Sequence, residues 1–377
     1  MTEVSVVMPV FNAASSLPDA VASILGSSFT DFELILIDDA STDNTWSVMQ
    51  SYDDPRFVAA RNDTNQGLCA TLNRALGLAR GDYIAVVGAD DRYHQDFLLR
   101  TREVFERGGP ELGAVATYVE PIDADGKPLV DHQAQTYFNH HCDFSDPAAW
   151  IWHNRFPGSA VVRRGVFDAV GVFAEDVPSA MDWDLWVRAL AAGFTFHVIP
   201  EVLFGWRLHG ETIITSDPET LLGYSLISQR HLHPYLMRIG RDDLLAANVA
   251  EFLTNAALIT ADVAVAALIL DRVLTPLTTV QQAAAICAAG DELLRLQHCC
   301  IGEAAKAEHL RGLVAEAEQR AIDTADALRE KDYELAAALD RLGAAEADRR
   351  AAQAEVTALK NSLIRRVGRK VKRRMGQ

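Results

Sequence analysis

At 377 residues the chain is long enough for two or three folded units, taking about 150 residues for each. Hydrophobic residues make up 49% and charged ones 23%, which excludes wholesale disorder and supplies a sizeable core. The net charge of −17 is uneven: residues 360–377 hold eight cations and no acid, so residues 1–359 carry −25, and so acidic a body excludes a generic nucleic-acid binder.

A continuous apolar run predicts a first strand over Val4–Val10, followed by a helix over about 15–27. A second strand over Phe32–Ile37 ends in Asp38-Asp39. Phe57–Ala60 reads as a third strand, and Tyr83–Val87 as a fourth that ends at Gly88-Ala89-Asp90-Asp91. Helical spacing covers Thr45–Tyr52 and Cys69–Ala79. This alternation predicts an α/β fold, a Rossmann-like and mostly parallel sheet flanked by helices on both faces. Such sheets bind ligands at the carboxyl ends of their strands, where the polar clusters of this chain fall.

Residues 121–240 are rich in aromatics, among them Trp150, Phe156, Trp183, Trp186 and Trp206, and are expected to complete the same domain and roof its cleft. The first domain is therefore drawn as 1–240, followed by a helical extension over 241–302. Residues 303–360 are drawn as a coiled coil: from Leu310 a seven-residue repeat can be counted, with Val314, Ala321, Leu328, Leu335, Leu342, Val356 and Leu363 in one series, broken at Arg349, and mostly alanine in the other, with Thr324 and Lys331 as flaws. It predicts a long coiled-coil helix and a homo-oligomer, or else a single solvated helix or a hairpin on the body. The basic tail, 361–377, sets Leu363, Ile364, Val367, Val371 and Met375 at helical spacing among its cations. That pattern suits an anionic membrane surface, or a solvated end that neutralises an acidic neighbour.

Five cysteines, Cys69, Cys142, Cys287, Cys299 and Cys300, lack metal-ligand spacing and read as thiols in a reducing compartment. No signal peptide is expected from Met-Thr-Glu-Val-Ser-Val-Val, and the longest apolar run, Val263 to Leu270, is too short to span a bilayer. The expected location is the cytoplasm, with peripheral contact at the inner face of the membrane through the tail.

The chemistry lies in acids at strand ends. Asp38-Asp39 and Asp90-Asp91 place several carboxylates in one crevice, a costly arrangement unless a cation neutralises it. Oxygen ligands select a hard divalent ion such as Mg²⁺ or Mn²⁺, though either pair by itself is also ordinary turn chemistry. Asp43, just before a helix, reads as a cap first and a ligand second. Asp182 sits at a helix start beside Trp183 and Trp186, where desolvation would make its carboxylate a better base; an N-cap with core indoles fits the same spacing. Arg207 and His209 fall on one face of an extended segment, a pairing suited to pyrophosphate and a metal.

These pieces together resemble a family 2 glycosyltransferase of the inverting, GT-A-fold kind. The resemblance covers about residues 3–215. It rests on Pro9-Val10-Phe11-Asn12, on Asp38-Asp39-Ala40-Ser41-Thr42-Asp43-Asn44-Thr45, on Asn65-Gln66-Gly67 with Asn73, and on Ala79-Arg80-Gly81-Asp82-Tyr83-Ile84. It continues through Ala89-Asp90-Asp91, Asp182 and Arg207-Leu208-His209. The resemblance implies that Pro9, Phe11 and Asp39 hold the nucleotide base and that Asp90 contacts the ribose. It further implies that Asp91 and His209 bind Mn²⁺ or Mg²⁺, that Arg207 contacts the diphosphate, and that Asp182 is the general base. The implied partners are a nucleotide-sugar donor, most often a UDP-sugar, and a glycan or lipid-linked acceptor. Two departures stand out: Gly88 where many members carry a further acid, and Met181 where members often carry Glu before the base. The aromatic stretch Trp150–Phe156 then becomes a stacking platform for a sugar ring, or core. A catalytically inactive nucleotide-sugar-binding scaffold built around the coiled coil is the alternative reading, and a sugar nucleotidyltransferase is disfavoured because no Gly-rich basic loop follows the first strand.

Overall fold

The computed structural model describes residues 2–129, 139, 143–150, 154–208 and 218–259. The heptad segment, the basic tail, His209, Cys142, Cys287, Cys299 and Cys300 lie outside the described residues.

In chain order the first elements are β1 (Val4–Val10), α1 (Leu17–Leu25), β2 (Phe32–Asp38), α2 (Thr45–Gln50), β3 (Phe57–Arg61), α3 (Leu68–Leu78) and β4 (Tyr83–Val86). There follow β5 (Arg92–Tyr93), α4 (Phe97–Arg107), β6 (Leu112–Ile122), β7 (Val161–Arg163), α5 (Arg164–Val170), α6 (Met181–Ala191) and β8 (Thr195–Arg207). The helices α7 (Pro218–Ile227), α8 (His233–Arg238) and α9 (Asp242–Ile259) come last. Each of the early expected elements forms within about two residues of its predicted bounds.

The strands make one eight-stranded sheet in the order β3-β2-β1-β4-β7-β6-β8-β5. β1 pairs in parallel with β2 and β4, β2 with β3, and β6 with β8. β7 runs antiparallel to both β4 and β6, and the short β5 antiparallel to β8. β2 is buried along its whole length and β1 nearly so, which is why both read as unbroken apolar runs rather than alternating ones. The aromatic-rich stretch does complete the same sheet, through β7 and the thirteen-residue β8.

Two sequence features place β4 against β1. A side chain at Gly81 would put its Cβ 2.7 Å from the Ser5 amide nitrogen and 2.8 Å from the Glu3 carbonyl oxygen, so only glycine lets the chain pass β1 so closely. Beside it, Ser5 Oγ donates to the buried Glu33 at 2.7 Å, and Arg80 donates from its backbone at 2.8 Å and its guanidinium at 2.7 Å. Burial pushes the Glu33 carboxyl up, but the bonds from Ser5 and Arg80 outweigh it and hold the group below the usual range.

Trp150 and Phe156 are fully buried and pack with Phe144, Trp186 and Phe196 at ring separations from 5.0 to 6.2 Å. These two rings are therefore core, and neither is a platform open to a sugar.

The chain divides into two compact units. One comprises residues 1–214 with 230–235 and contains the whole sheet. The other comprises 215–229 and 236–377; among its described residues, α7 packs on α9. No helix of the described residues is long and apolar enough to cross a membrane.

Candidate active site

The carboxyl ends of β1 and β2 are held in unusual backbone conformations. Asn12 and Ala40 both have positive φ, 49° and 57°. For Asn the left-handed region is tolerated; for Ala it costs about 1–2 kcal/mol. The two turns are tied together: Asn12 N–H donates to Ser41 Oγ at 2.9 Å, and Thr42 N–H to Asn12 Oδ1 at 2.8 Å. Asp43 accepts from Thr45 N–H at 2.9 Å at the start of α2 and from Ala14 N–H at 3.2 Å, so it braces the loop ahead of that helix, whose N-cap position is Asn44. Asp38 is likewise internal, taking the Ser41 amide at 3.1 Å and pairing with Arg61 at 3.0 Å.

Asp39 faces the other way, toward α3. One of its oxygens accepts from Asn62 Nδ2 at 2.7 Å and from Gln66 N–H at 2.8 Å; the other accepts from Gly67 N–H at 2.9 Å. Gly67, at φ 85°, adopts the conformation this approach requires. Asp39 thus fixes the entry to α3. Phe11 stands 50% exposed just beyond the end of β1, where Pro9 is partly buried.

At the end of β4, Asp90 Oδ1 and Asp91 Oδ2 converge beside Gly88. A Cβ there would lie 2.7 Å from each oxygen, so any side chain would displace the pair. The glycine that stands in place of an acid in the expected motif thus leaves room for both carboxylates beside it. Burial, with Asp90 next to it, pushes the Asp91 carboxyl up to about 8. A methyl-sized space bracketed by two carboxylate oxygens suits a hard divalent cation that keeps other positions open. Among the described residues there is no group of three or more His, Cys, Asp or Glu side chains able to hold a metal, so these residues supply a partial ligand set.

Arg207 ends β8 next to this pair and is buried. Its backbone N–H donates to Asp91 Oδ1 at 3.0 Å. Its guanidinium donates to the carbonyls of Asp90 (2.6 Å), Asp123 (2.9 Å) and Ala124 (2.7 Å) and to Asp19 Oδ2 (2.6 Å). These bonds occupy four of the five guanidinium donors within the protein. The geometry is that of a brace on the Asp90-Asp91 turn, and it leaves little of the group to meet a diphosphate directly.

Asp182 lies on the first turn of α6. Its Oδ2 accepts from Asn154 Nδ2 at 2.5 Å and its Oδ1 from Trp183 N–H at 2.8 Å. Burial pushes this carboxyl above its usual range despite both bonds. Topology brings it to the other acids. β7 pairs antiparallel with β4, Val161 opposite Ala85, so the chain entering β7 passes the carboxyl end of β4. Gly158 sits on that approach, and a Cβ on it would lie 2.5 Å from Asp182 Oδ2. From the other side, the sulfurs of Met181 and of Cys69 on α3 are 3.5 Å apart, one turn from the amides that Asp39 holds. Asp39, Asp91 and Asp182 therefore share one edge of the sheet. Asp184, by contrast, is buried on α6, paired with Arg188 at 2.7 Å and with the His231 ring nitrogen at 3.3 Å.

Sequence reasoning missed Asn154, Gly158 and Asp19, which carry no motif; Pro157-Gly158 beside an aromatic run signals only a turn. The bearing of Asn73 is also structural: its side chain exchanges hydrogen bonds with both backbone groups of Phe173, at 2.9 and 3.0 Å, tying α3 to the loop ahead of α6.

The model of the family "Glycosyl transferase family 2" matches residues 5–171. The putative teichuronic acid biosynthesis glycosyltransferase TuaG of Bacillus subtilis is 36% identical over 217 residues, 56% of this chain and 81% of its own length. The chain belongs to glycosyl transferase family 2. A shorter match joins this family 2 glycosyltransferase to the Escherichia coli protein named UDP-Glc:alpha-D-GlcNAc-diphosphoundecaprenol beta-1,3-glucosyltransferase WfaP, 31% identical over 111 residues, 28% of this chain and 44% of that one. Among solved structures, S. aureus TarS superposes with a TM-score of 0.53 at 16% identity, over 85% of this chain and 55% of TarS, a likeness of fold.

Proposed function

We propose that the chain transfers a sugar, with inversion, from a nucleoside-diphosphate sugar to a hydroxyl of a glycan or lipid-linked acceptor. What supports this reading is the placement of Asp39, Asp91 and Asp182, from three separate elements, along the carboxyl edge of the parallel strands.

In this reading Pro9, Phe11 and Asp39 line the base site, and Asp90 meets the ribose. Asp182 takes the proton from the acceptor hydroxyl as that oxygen bonds to the anomeric carbon. The bond from that carbon to the diphosphate oxygen breaks, and its electron pair leaves with the nucleoside diphosphate. Asp91 would hold a Mn²⁺ or Mg²⁺ ion, with His209 as a further ligand, and the ion when bound would supply charge neutralisation to the departing diphosphate. Arg207 serves that step by keeping the Asp90-Asp91 turn in place. General-base catalysis contributes about 10²–10⁴-fold.

A UDP-sugar donor and a lipid-linked acceptor are supported by the name of WfaP, and a role in envelope polysaccharide synthesis by that of TuaG. The heptad segment and basic tail support a homo-oligomer at an anionic membrane surface, where such an acceptor resides. The test is a donor screen: the purified chain with Mn²⁺ and a panel of UDP-, dTDP- and GDP-sugars, scored by nucleoside diphosphate release and by calorimetric nucleotide binding. Slow hydrolysis of one donor, lost with chelator, is the expected result. No turnover and no nucleotide binding across the panel would overturn the reading.

A further inference from the structure

We infer that Asn154 is a positioning residue for Asp182, its amide fixing the orientation of the carboxyl that receives the acceptor's proton. The inference rests on the assignment of Asp182 as the base, and it extends that assignment to a side chain no motif marks.

Three observations carry it. First, Asn154 Nδ2 donates to Asp182 Oδ2 at 2.5 Å, while the Trp183 amide holds Oδ1 at 2.8 Å. Each carboxylate oxygen is thus held by a neighbouring donor, and rotation of the group about its terminal bond breaks both of these bonds. Second, the segment bearing Asn154 is anchored to the helix that bears Asp182. Phe156 is fully buried and meets the Trp186 ring edge-on at 5.2 Å, and Trp186 belongs to α6. Asn154 lies two residues before that anchor and donates to Oδ2; Gly158 lies two residues after it, where a Cβ would fall 2.5 Å from the same oxygen. The segment arches over the carboxyl, with Phe156 as its footing.

Third, Asn154 Oδ1 is buried with no hydrogen-bond partner among the described residues. An unmet buried acceptor costs stability, about 1–3 kcal/mol, so an asparagine kept only for the fold would be poorly suited to this place. Its one hydrogen bond among the described residues is the one to Asp182.

The surroundings leave this bond as the adjustable one. Asp184 on the same helix pairs with Arg188 and bonds to His231, and Asp176 in the preceding loop pairs with Arg230 at 2.6 Å. Cys69 of α3 lies against Met181 and is itself pushed up to about 12 by burial and by the neighbouring acids, so it stays a neutral thiol. Among the described residues no charged side chain governs the titration of Asp182; burial opposes it, and the Trp183 amide and Asn154 favour its ionised form.

The test measures Asp182 directly. Full-length protein labelled with ¹³C at the aspartate carboxyls is titrated by NMR, with the Asp182 signal assigned by its loss in Asp182→Asn. In Asn154→Ala the midpoint of Asp182 is expected to move to higher pH, and in the near-isosteric Asn154→Asp further still, because two carboxylates then share one site. In parallel, hydrolysis of the nucleotide sugar that the donor screen identifies is followed from pH 5 to 9. For Asn154→Ala we expect the acid limb of kcat to move up with the NMR midpoint, kcat to fall about ten- to a hundredfold, and KM for the donor to stay unchanged. Gly158→Ala, which crowds Oδ2 from the other side, should lower kcat in the same way. An unmoved Asp182 midpoint in both Asn154 variants overturns the inference. If Asp182→Asn retains wild-type turnover, the assignment of the base fails instead, so the two failures are distinguishable.

Discussion

The backbone amide of Arg207 and the carboxylate of Asp91 are joined by a 3.0 Å hydrogen bond that ties the end of β8 to the end of β4. The Arg207 side chain completes the tie through Asp90, Asp123, Ala124 and Asp19. The active-site turn is thus held from outside by a residue that spends most of its charge on the protein. Arg207→Ala is expected to lower stability by about 3 kcal/mol, through several carbonyls and one carboxylate left without their donor. It should also weaken Mn²⁺ binding measured by calorimetry without nucleotide. A variant that loses nucleotide affinity while keeping that Mn²⁺ affinity would assign Arg207 to the diphosphate instead.

Asp91 makes the metal-free protein sensitive to pH. Its carboxyl, pushed up to about 8 by burial and by Asp90, keeps its proton in the folded state through a range where the unfolded chain has lost it. The folded state therefore binds more protons between about pH 4 and 8, and stability falls as pH rises across that window. With chelator present, the wild-type melting temperature should fall relative to Asp91→Asn from pH 5 to pH 8. Mn²⁺ requires the ionised carboxylates, so its stabilising effect should grow over the same range. Parallel melting curves for the two proteins would remove Asp91 from this role.

Gly81 is the point at which β4 passes β1. A Cβ there meets backbone atoms at 2.7–2.8 Å, and backbone cannot move aside as a flexible side chain can. Gly81→Ala should therefore cost about 3 kcal/mol, seen as a fall in denaturation midpoint at unchanged slope. Glu33→Gln should cost less, since Ser5 and part of Arg80 keep an acceptor.

Asp39 couples the proposed base site to α3. Asp39→Ala frees the amides of Gln66 and Gly67 together with Asn62, and we expect nucleotide affinity to fall about ten- to a hundredfold. Calorimetry with UDP checks this; affinity within about twofold of wild type would take Asp39 out of the base site.

Much of this arrangement was legible in the sequence because it is local. The runs at Val4 and Phe32 announce strands buried on both faces, and the acids at their ends follow from where parallel sheets bind ligands. Less legible was what each acid does. Asp38 and Asp39 look alike in sequence, yet one pairs with Arg61 and the other holds α3. That division depends on side-chain direction and on partners 20 or more residues away. Gly88 reads in the sequence as a missing carboxylate; the structure adds that Asp90 Oδ1 and Asp91 Oδ2 each lie 2.7 Å from where its Cβ would be. Asn154 left no trace, since a single long-range hydrogen bond has no periodicity. The long strands β6 and β8 went unpredicted for a similar reason: β8 alternates its burial irregularly, and its register with β6 is broken by shifts.

The most direct test of the central claim is the turnover and donor affinity of Asp182→Asn, measured on the same preparation with the donor found by screening. The substitution keeps the shape of the side chain and removes its capacity to take a proton. The account predicts a fall in turnover of about 10²–10⁴-fold with the donor dissociation constant unchanged. Turnover within about twofold of wild type would contradict it, and the proton would then have to leave by another group.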